Sequence, residues 1–337
     1  MAKTKPKTHL LLREDYLSKI LSQVIRGKIK KIKIFPIKVY ITEEIEHIVL
    51  ATKVTTQGGK VYRVFVMGHS SGIKKRLYEI LKYFQKYYHS GRWQVPNPLL
   101  YDKKTKAIAY EELKGPNLYE LFEKKKKNLL PIFSSFGKWI ADMHNRRPSK
   151  IFKKHDLHAT RAQLDPAGIL KDIRKQKPRL YKDITAMINR LARIQKKLPR
   201  SKKQSLVHGD LHPENVILLS KNFARPKLGL IDLELAALSD REQDLGSFLE
   251  QIEIMAGLRY PKKKIQEFQN TFLDSYLKAA HIKFSPAVQN KIIFYQAFFG
   301  LKGAIFYYRL GWHAKMKKIL ARIDKYLNQL EENNIKR

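Results

Sequence analysis

Two short motifs dominate the reading of this chain: LVHGDLHPENVILL over Leu206–Leu219 and LGLIDLELAALSDREQDLG over Leu228–Gly246. Each sets acidic or amide side chains directly after an apolar run that reads as a strand. In the first, Asp210 and Asn215 stand five apart; in the second, Asp232 closes LGLI, and Asp240 and Asp244 follow. A carboxylate, an amide oxygen and a second carboxylate are the parts that phosphoryl transfer needs. They give a base for the acceptor hydroxyl and two hard oxygen ligands for Mg²⁺. Read alone, Gly209-Asp210 is also turn chemistry. The two motifs together favour Asp210 as catalytic base, with Asn215 and Asp232 as metal ligands.

The spacing Asp-x-x-x-x-Asn, with a strand-terminal Asp soon after, is that of the protein-kinase catalytic and metal-binding loops. HGDLHPEN followed by IDLE and D-x-x-x-D-L resembles the aminoglycoside phosphotransferase and choline kinase family, whose fold is similar to that of protein kinases. The resemblance implies an α+β, bilobal protein-kinase-like fold with a small β-rich N-terminal lobe and a larger, mostly helical C-terminal lobe. It implies transfer of the γ-phosphoryl group of ATP, or GTP, with Mg²⁺, to a hydroxyl of a small molecule. By the same resemblance His208 is a structural part of the catalytic loop and Asp244 steadies it, while Asp240 also suits a helix N-cap. Glu234, two residues past Asp232, is a candidate to assist the metal or bind the acceptor. A rival reading takes His208, Asp210 and His212 as ligands of a transition metal in a hydrolase, but leaves IDLE unexplained.

AYEELKGPNLYELF resembles the family's hinge, a short strand, a small-residue turn and a helix starting at Leu118. That places adenine against the backbone of Glu111 to Leu113. The IADMH of Ile140 to His144 fits a helix of the same family.

Upstream, KIKIFPIKVYI, HIVLATKVTT and KVYRVFVMG read as strands, the last two joined at Gln57-Gly58-Gly59. A helix follows to Tyr88. A kinase-like site wants a Lys on the third strand, paired with a Glu on the next helix. The helix offers Glu79, but Met67 stands where the Lys belongs. Arg63 and Lys53 are the substitutes. The first strand-to-strand turn, ITEEIEH, has no glycine and three glutamates, Glu43, Glu44 and Glu46. Two outcomes stay open: nucleotide held by metal and basic side chains, or a pseudokinase-like binding protein with weak nucleotide use.

At 337 residues the chain divides into a basic tail and helix (1–28), a small nucleotide-binding lobe (29–114) and a helical lobe with the catalytic and metal loops (115–337). There is no cysteine, so disulfides and thiolate metal sites are excluded. The N-terminal apolar run is three residues long, no signal peptide, and a cytoplasmic protein is expected. Ile292–Trp312 is broken by Gln296, Lys302 and Arg309, so a buried aromatic helix is expected there and no membrane span. The net charge of +38 fits either a general lysine bias or an anionic partner, such as an acidic surface or nucleic acid. Between Arg146 and Gln204, nineteen Lys/Arg face four Asp/Glu, which suits an anionic or sugar-containing acceptor.

Overall fold

The computed structural model describes residues 7–42, 44–155, 157–199, 201 and 204–335. Along the chain come α1 (Glu14–Leu21), β1 (Ile29–Ile41), β2 (Glu46–Thr56), β3 (Val61–His69), α2 (Lys74–Tyr88), β4 (Trp93–Gln94), β5 (Pro98–Asp102) and β6 (Ala107–Glu111). Helices α3 (Leu118–Glu123), α4 (Leu130–Asn145), α5 (Arg161–Leu164), α6 (Ile169–Gln176) and α7 (Pro178–Lys197) follow. Then come β7 (Ser205–Val207), β8 (Val216–Leu218), β9 (Leu228–Leu230), β10 (Ala237–Ser239), α8 (Glu242–Ala256), α9 (Lys262–Ala280), α10 (Pro286–Arg309) and α11 (His313–Ile335). Two compact units result. The first holds 1–116, 217–221 and 227–234; the second holds the remainder.

In the first unit a five-stranded antiparallel sheet has the order β1-β2-β3-β6-β5. Alternation decides its two faces. Ile48, Leu50 and Val54 of β2, with Val64 and Val66 of β3, point to one side and pack with Leu17, Ile20 and Leu21 of α1. Each such side chain contributes about 1.5–3 kcal/mol on full burial. The opposite face of β3 carries Arg63, Phe65, Met67 and His69, none of them fully buried. Gly68 needs its missing side chain, because a Cβ there would meet Thr8 Cγ2 at 2.5 Å and Leu11 Cδ1 at 2.7 Å. The segment before α1 is thereby pinned to the sheet, and Leu11 is wholly buried. A second small sheet, β4-β9-β8, completes the unit, with β4 parallel to β9.

The second unit is helical. Helix α4 lies along α9 so closely that Gly137 abuts the Phe272 carbonyl. Between them Phe133 stacks on Phe268 at 4.7 Å and 19°. Helix α10, the aromatic segment expected to be buried, contributes Phe294, Ala297, Phe298 and Leu301 to a core shared with α7 and α11. No helix among the described residues is long and apolar enough to cross a membrane. Strands β7 and β10 pair antiparallel, and the loop between β7 and β8 carries the first motif.

Candidate active site

The candidate residues fall in both units, and each set has its own supporting structure. In the second unit, β7 ends at Val207 and the chain turns through His208-Gly209-Asp210. Gly209 has φ +90°, and a Cβ there would lie 2.5 Å from the Leu235 carbonyl oxygen, so the turn requires glycine. Asp244, in the first turn of α8, holds this turn. Its Oδ2 accepts from the His208 N–H at 2.7 Å and its Oδ1 from the Gly209 N–H at 3.0 Å. His144 Nε2, from the end of α4, donates to Oδ2 at 2.9 Å. In the neutral tautomer His144 Nδ1 then accepts from the Tyr276 hydroxyl, 2.8 Å away. Burial alone would push the Asp244 carboxyl up. The His144 hydrogen bond, the nearby imidazoles and the His208 N–H outweigh it, and hold the group below the usual carboxylate range.

The rest of the loop is tied as firmly. The Asp210 N–H donates to His208 Nδ1 at 3.3 Å, and the buried Asn215 donates from Nδ2 to the Asp210 carbonyl at 3.0 Å. With that nitrogen turned inward, the amide oxygen is the atom suited to a hard cation. Gln243 Nε2 and Ser247 Oγ donate to the carbonyls of Gly209 and Leu211, at 3.3 and 3.0 Å. His212 lies 3.5 Å from Glu214, and among the described residues no three His, Cys, Asp or Glu side chains group as a metal site. The H-x-D-x-H reading has no structure behind it. Asp240 is no N-cap either: α8 has no side-chain cap, and Asp240 accepts from Lys291 Nζ at 3.0 Å.

In the first unit, β9 leads into Asp232, whose φ of +59° is left-handed. Such a backbone costs a non-glycine residue of order 1 kcal/mol or more, least for Asp and Asn. Glu234 follows, and its Oε2 lies 2.5 Å from Lys74 Nζ. The Lys74 side chain, at the first position of α2, is only 3% exposed. Arg76 Nη1 donates to the Glu234 carbonyl at 3.3 Å. Tyr110 of β6 stacks on Phe65 at 5.7 Å and donates to Met67 Sδ at 3.1 Å. Burial raises its phenol, and the charges of Asp232 and Glu234 add to the rise.

Arg63 and Lys53 are register partners on β3 and β2. Arg63 Nη1 reaches Glu112 at 3.4 Å. Both line a cavity of about 200 Å³ with Phe35, Ala51, Phe65 and Glu112. Glu79, the sequence candidate for the ion pair, is 43% exposed and lies 3.9 Å from Lys75 on its own helix. Glu46 turns from the first strand connection to accept from the N–H and ring of His9, at 3.0 and 2.8 Å; Glu43 lies outside the described residues. In the segment 111–115, the Glu111 and Glu112 N–H groups donate to the carbonyls of Asn97 and Arg63, at 2.9 and 3.0 Å. Gly115, at φ +155°, passes directly over the Leu218 carbonyl.

Comparison with known proteins decides what this arrangement belongs to. Residues 52–284 match the family model described as the phosphotransferase enzyme family. The chain belongs to that family. Among solved structures, it is similar to amicoumacin kinase hAmiN in complex with AMP-PNP, Ca²⁺ and Ami (15% identity, 94% of this chain and 93% of that one, TM-score 0.60). It is also similar to spectinomycin phosphotransferase APH(9)-Ia with ADP and spectinomycin (14%, 96% and 98%, TM-score 0.56). A third is choline kinase from Cryptosporidium parvum Iowa II (14%, 96% and 95%, TM-score 0.57). A search of curated protein sequences gave no match. The fold of this phosphotransferase is protein-kinase-like, with a β-sheet N-terminal region and a mostly helical C-terminal part. Its chemistry is that of a small-molecule phosphotransferase.

Two contributors carried no assigned role in the sequence. His144 was legible only as the last residue of the family-like helix IADMH, and Lys74 as one of many lysines. Each acts on a partner over a hundred residues away or close to it, separations of 100 and 160.

Proposed function

We propose that this phosphotransferase moves the γ-phosphoryl group of ATP, or GTP, to a hydroxyl of a small, anionic or sugar-containing acceptor. The observation that carries the reading is the clamp of Asp244 and His144 on the His208-Gly209 turn, which fixes the backbone bearing Asp210. A positioned base and preorganised charge are what phosphoryl transfer asks of a protein, since little covalent chemistry falls to it.

Asp210 orients the acceptor hydroxyl and takes its proton. The donor set of Asn215 and Asp232, one amide oxygen and one carboxylate with no thiolate, suits Mg²⁺. Bound there, Mg²⁺ would neutralise phosphate charge. On the nucleotide side, Glu111 and Glu112 have spent their N–H groups inside the sheet, so Leu113 is the hinge residue left to donate to adenine. The acceptor class rests on the basic stretch 146–204. Within it Arg190 is already held by Asp324 and Glu331, while Lys196 and Lys197 are exposed. Lys202 and Lys203 lie outside the described residues.

The test is nucleotide consumption with a panel of hydroxyl acceptors, comparing wild type with Asp210→Asn and Asp232→Asn. Each substitution is expected to lower kcat/KM about a thousandfold or more, some 4 kcal/mol of transition-state stabilisation. Equal turnover by all three proteins overturns the assignment. Wild type that binds Mg-ATP without turning over any acceptor places the chain with the pseudokinase-like binding proteins.

A further inference from the structure

Strand β3 presents no lysine to a nucleotide, yet the same unit carries one in an unusual setting. Lys74 is nearly solvent-free, and among the described residues it is held by Glu234, two residues past the left-handed Asp232. With the lysine buried and the Glu234 side chain 22% exposed, such a pair adds little stability over an apolar pair of equal volume, because desolvating the lysine offsets the attraction. The arrangement is better explained by what it holds in place.

Its position on the sheet says what that is. The open face of β3 runs Arg63, Phe65, Met67, His69. At the Arg63 end lies the cavity bounded by Phe35, Ala51, Lys53 and Glu112, next to the segment proposed to meet adenine. From Arg63 to Met67 is four residues, roughly 14 Å along an extended strand. At that far end the Tyr110 hydroxyl donates to Met67 Sδ, and β3 runs on through His69 to α2, whose first residue is Lys74. His69 closes the strand there, five residues before Lys74, with its ring 5.2 Å from that of its register partner His47. A cavity walled by Phe35, Ala51 and Phe65 beside charged side chains, with a cation and a carboxylate about one strand-length away, matches a nucleotide lying along the face, base at Arg63 and phosphates at Met67. Both Arg63 and Lys53 are at the base end, and Arg63 is engaged by Glu112.

We propose that Lys74, delivered by the first turn of α2 and aimed by Glu234, is the phosphate-binding cation that β3 lacks. The pair inverts the usual provenance: the helix supplies the lysine and the metal loop supplies the glutamate. Arg76, bonded to the Glu234 carbonyl, fixes the loop so that Lys74, Glu234 and Asp232 stay in one arrangement. This inference rests on the nucleotide-dependent reading above.

Calorimetry with adenosine and with ADP in excess EDTA, on the full chain, tests it without involving a metal ligand or turnover. Wild type is compared with Glu234→Gln and with the double variant Lys74→Gln/Glu234→Gln, which leaves no buried charge unpaired. The expected result is a loss of tenfold or more in ADP affinity on removing Lys74, with adenosine affinity unchanged. ADP binding as tight as in Glu234→Gln overturns the proposal, as does an equal loss for adenosine and ADP, which reports a structural role. If the wild-type protein binds neither ADP nor Mg-ATP, the nucleotide-dependent reading fails, and this proposal with it. If ADP binds normally to every variant, only the role of Lys74 fails.

Discussion

The Asp244 carboxylate accepts a hydrogen bond from His144 Nε2 at 2.9 Å, with both side chains wholly out of solvent. The same carboxylate takes the N–H groups of His208 and Gly209. An amide in its place would offer one acceptor and present two hydrogens to donors. We expect Asp244→Asn to cost about 3–5 kcal/mol, read as a shift in the urea midpoint. In the fraction that stays folded, kcat should fall at least about tenfold while nucleotide KM holds. A large rise in nucleotide KM or an unchanged midpoint would contradict the clamp.

Gly209 and Gly115 make opposite predictions about function. At Gly209 a Cβ collides with the Leu235 carbonyl, so Gly209→Ala must displace the turn that bears Asp210. We expect kcat to drop on the order of a hundredfold, with nucleotide affinity close to that of wild type. At Gly115 the collision is with Leu218 inside the first unit. There the expected effect of Gly115→Ala is weakened nucleotide binding and a lowered Tm. Kinetics and calorimetry on the two proteins separate the cases.

His47 supplies a pH dependence of stability. Burial, then Lys38, Lys74 and His69, push its pKa from about 6.5 down to about 4, against the smaller opposing effect of Glu234. Between those values the unfolded chain binds a proton that the native state refuses, so stability falls as pH falls from 6.5 to 4. Above 6.5 both states are neutral and the contribution is flat. In His47→Gln this part of the Tm-versus-pH curve should flatten. An unaltered slope over pH 4–6.5 would show that the ring titrates normally.

Neutralising Lys196 and Lys197 together probes the acceptor. Exposed charges are worth at most about 1 kcal/mol each, so the expected rise in KM is a few-fold to about thirtyfold for an anionic acceptor and nil for a neutral one. The difference should shrink with added salt. Equal effects on both acceptors would remove the basic stretch from the binding surface.

The turn bearing Asp210 and its support by Asp244 were legible because both sit in short motifs whose spacing is itself chemical. The sheet was legible in the alternation of β2 and β3, and the buried α10 in its aromatic content. The ion pair was not. Glu79 follows from helix periodicity, but the helix shows that position to solvent; the lysine that is paired is the helix's first residue, and its partner lies 160 residues further along the chain. Nor could the tail be read in full: Thr8 and Leu11 look like part of a basic tail, yet Thr8 donates to the Thr105 carbonyl at 3.0 Å and Leu11 fills the sheet core. Local pattern carries spacing and periodicity, whereas pairings across a hundred residues depend on how elements stack.

Strand β1 is thirteen residues long and stands at the end of its sheet, with Phe35, Ile37, Val39, Tyr40 and Ile41 largely in solvent. Such an edge invites a second copy to zip onto it. Lys30, Lys31, Lys33 and Lys38, with Pro36 interrupting the donor row, make that self-recognition repulsive and ragged. Part of the +38 charge is thus insurance against the chain itself, needing no ligand to justify it. Strong salt should withdraw that insurance first, turning a question about substrates into one about how crowded this protein can safely become.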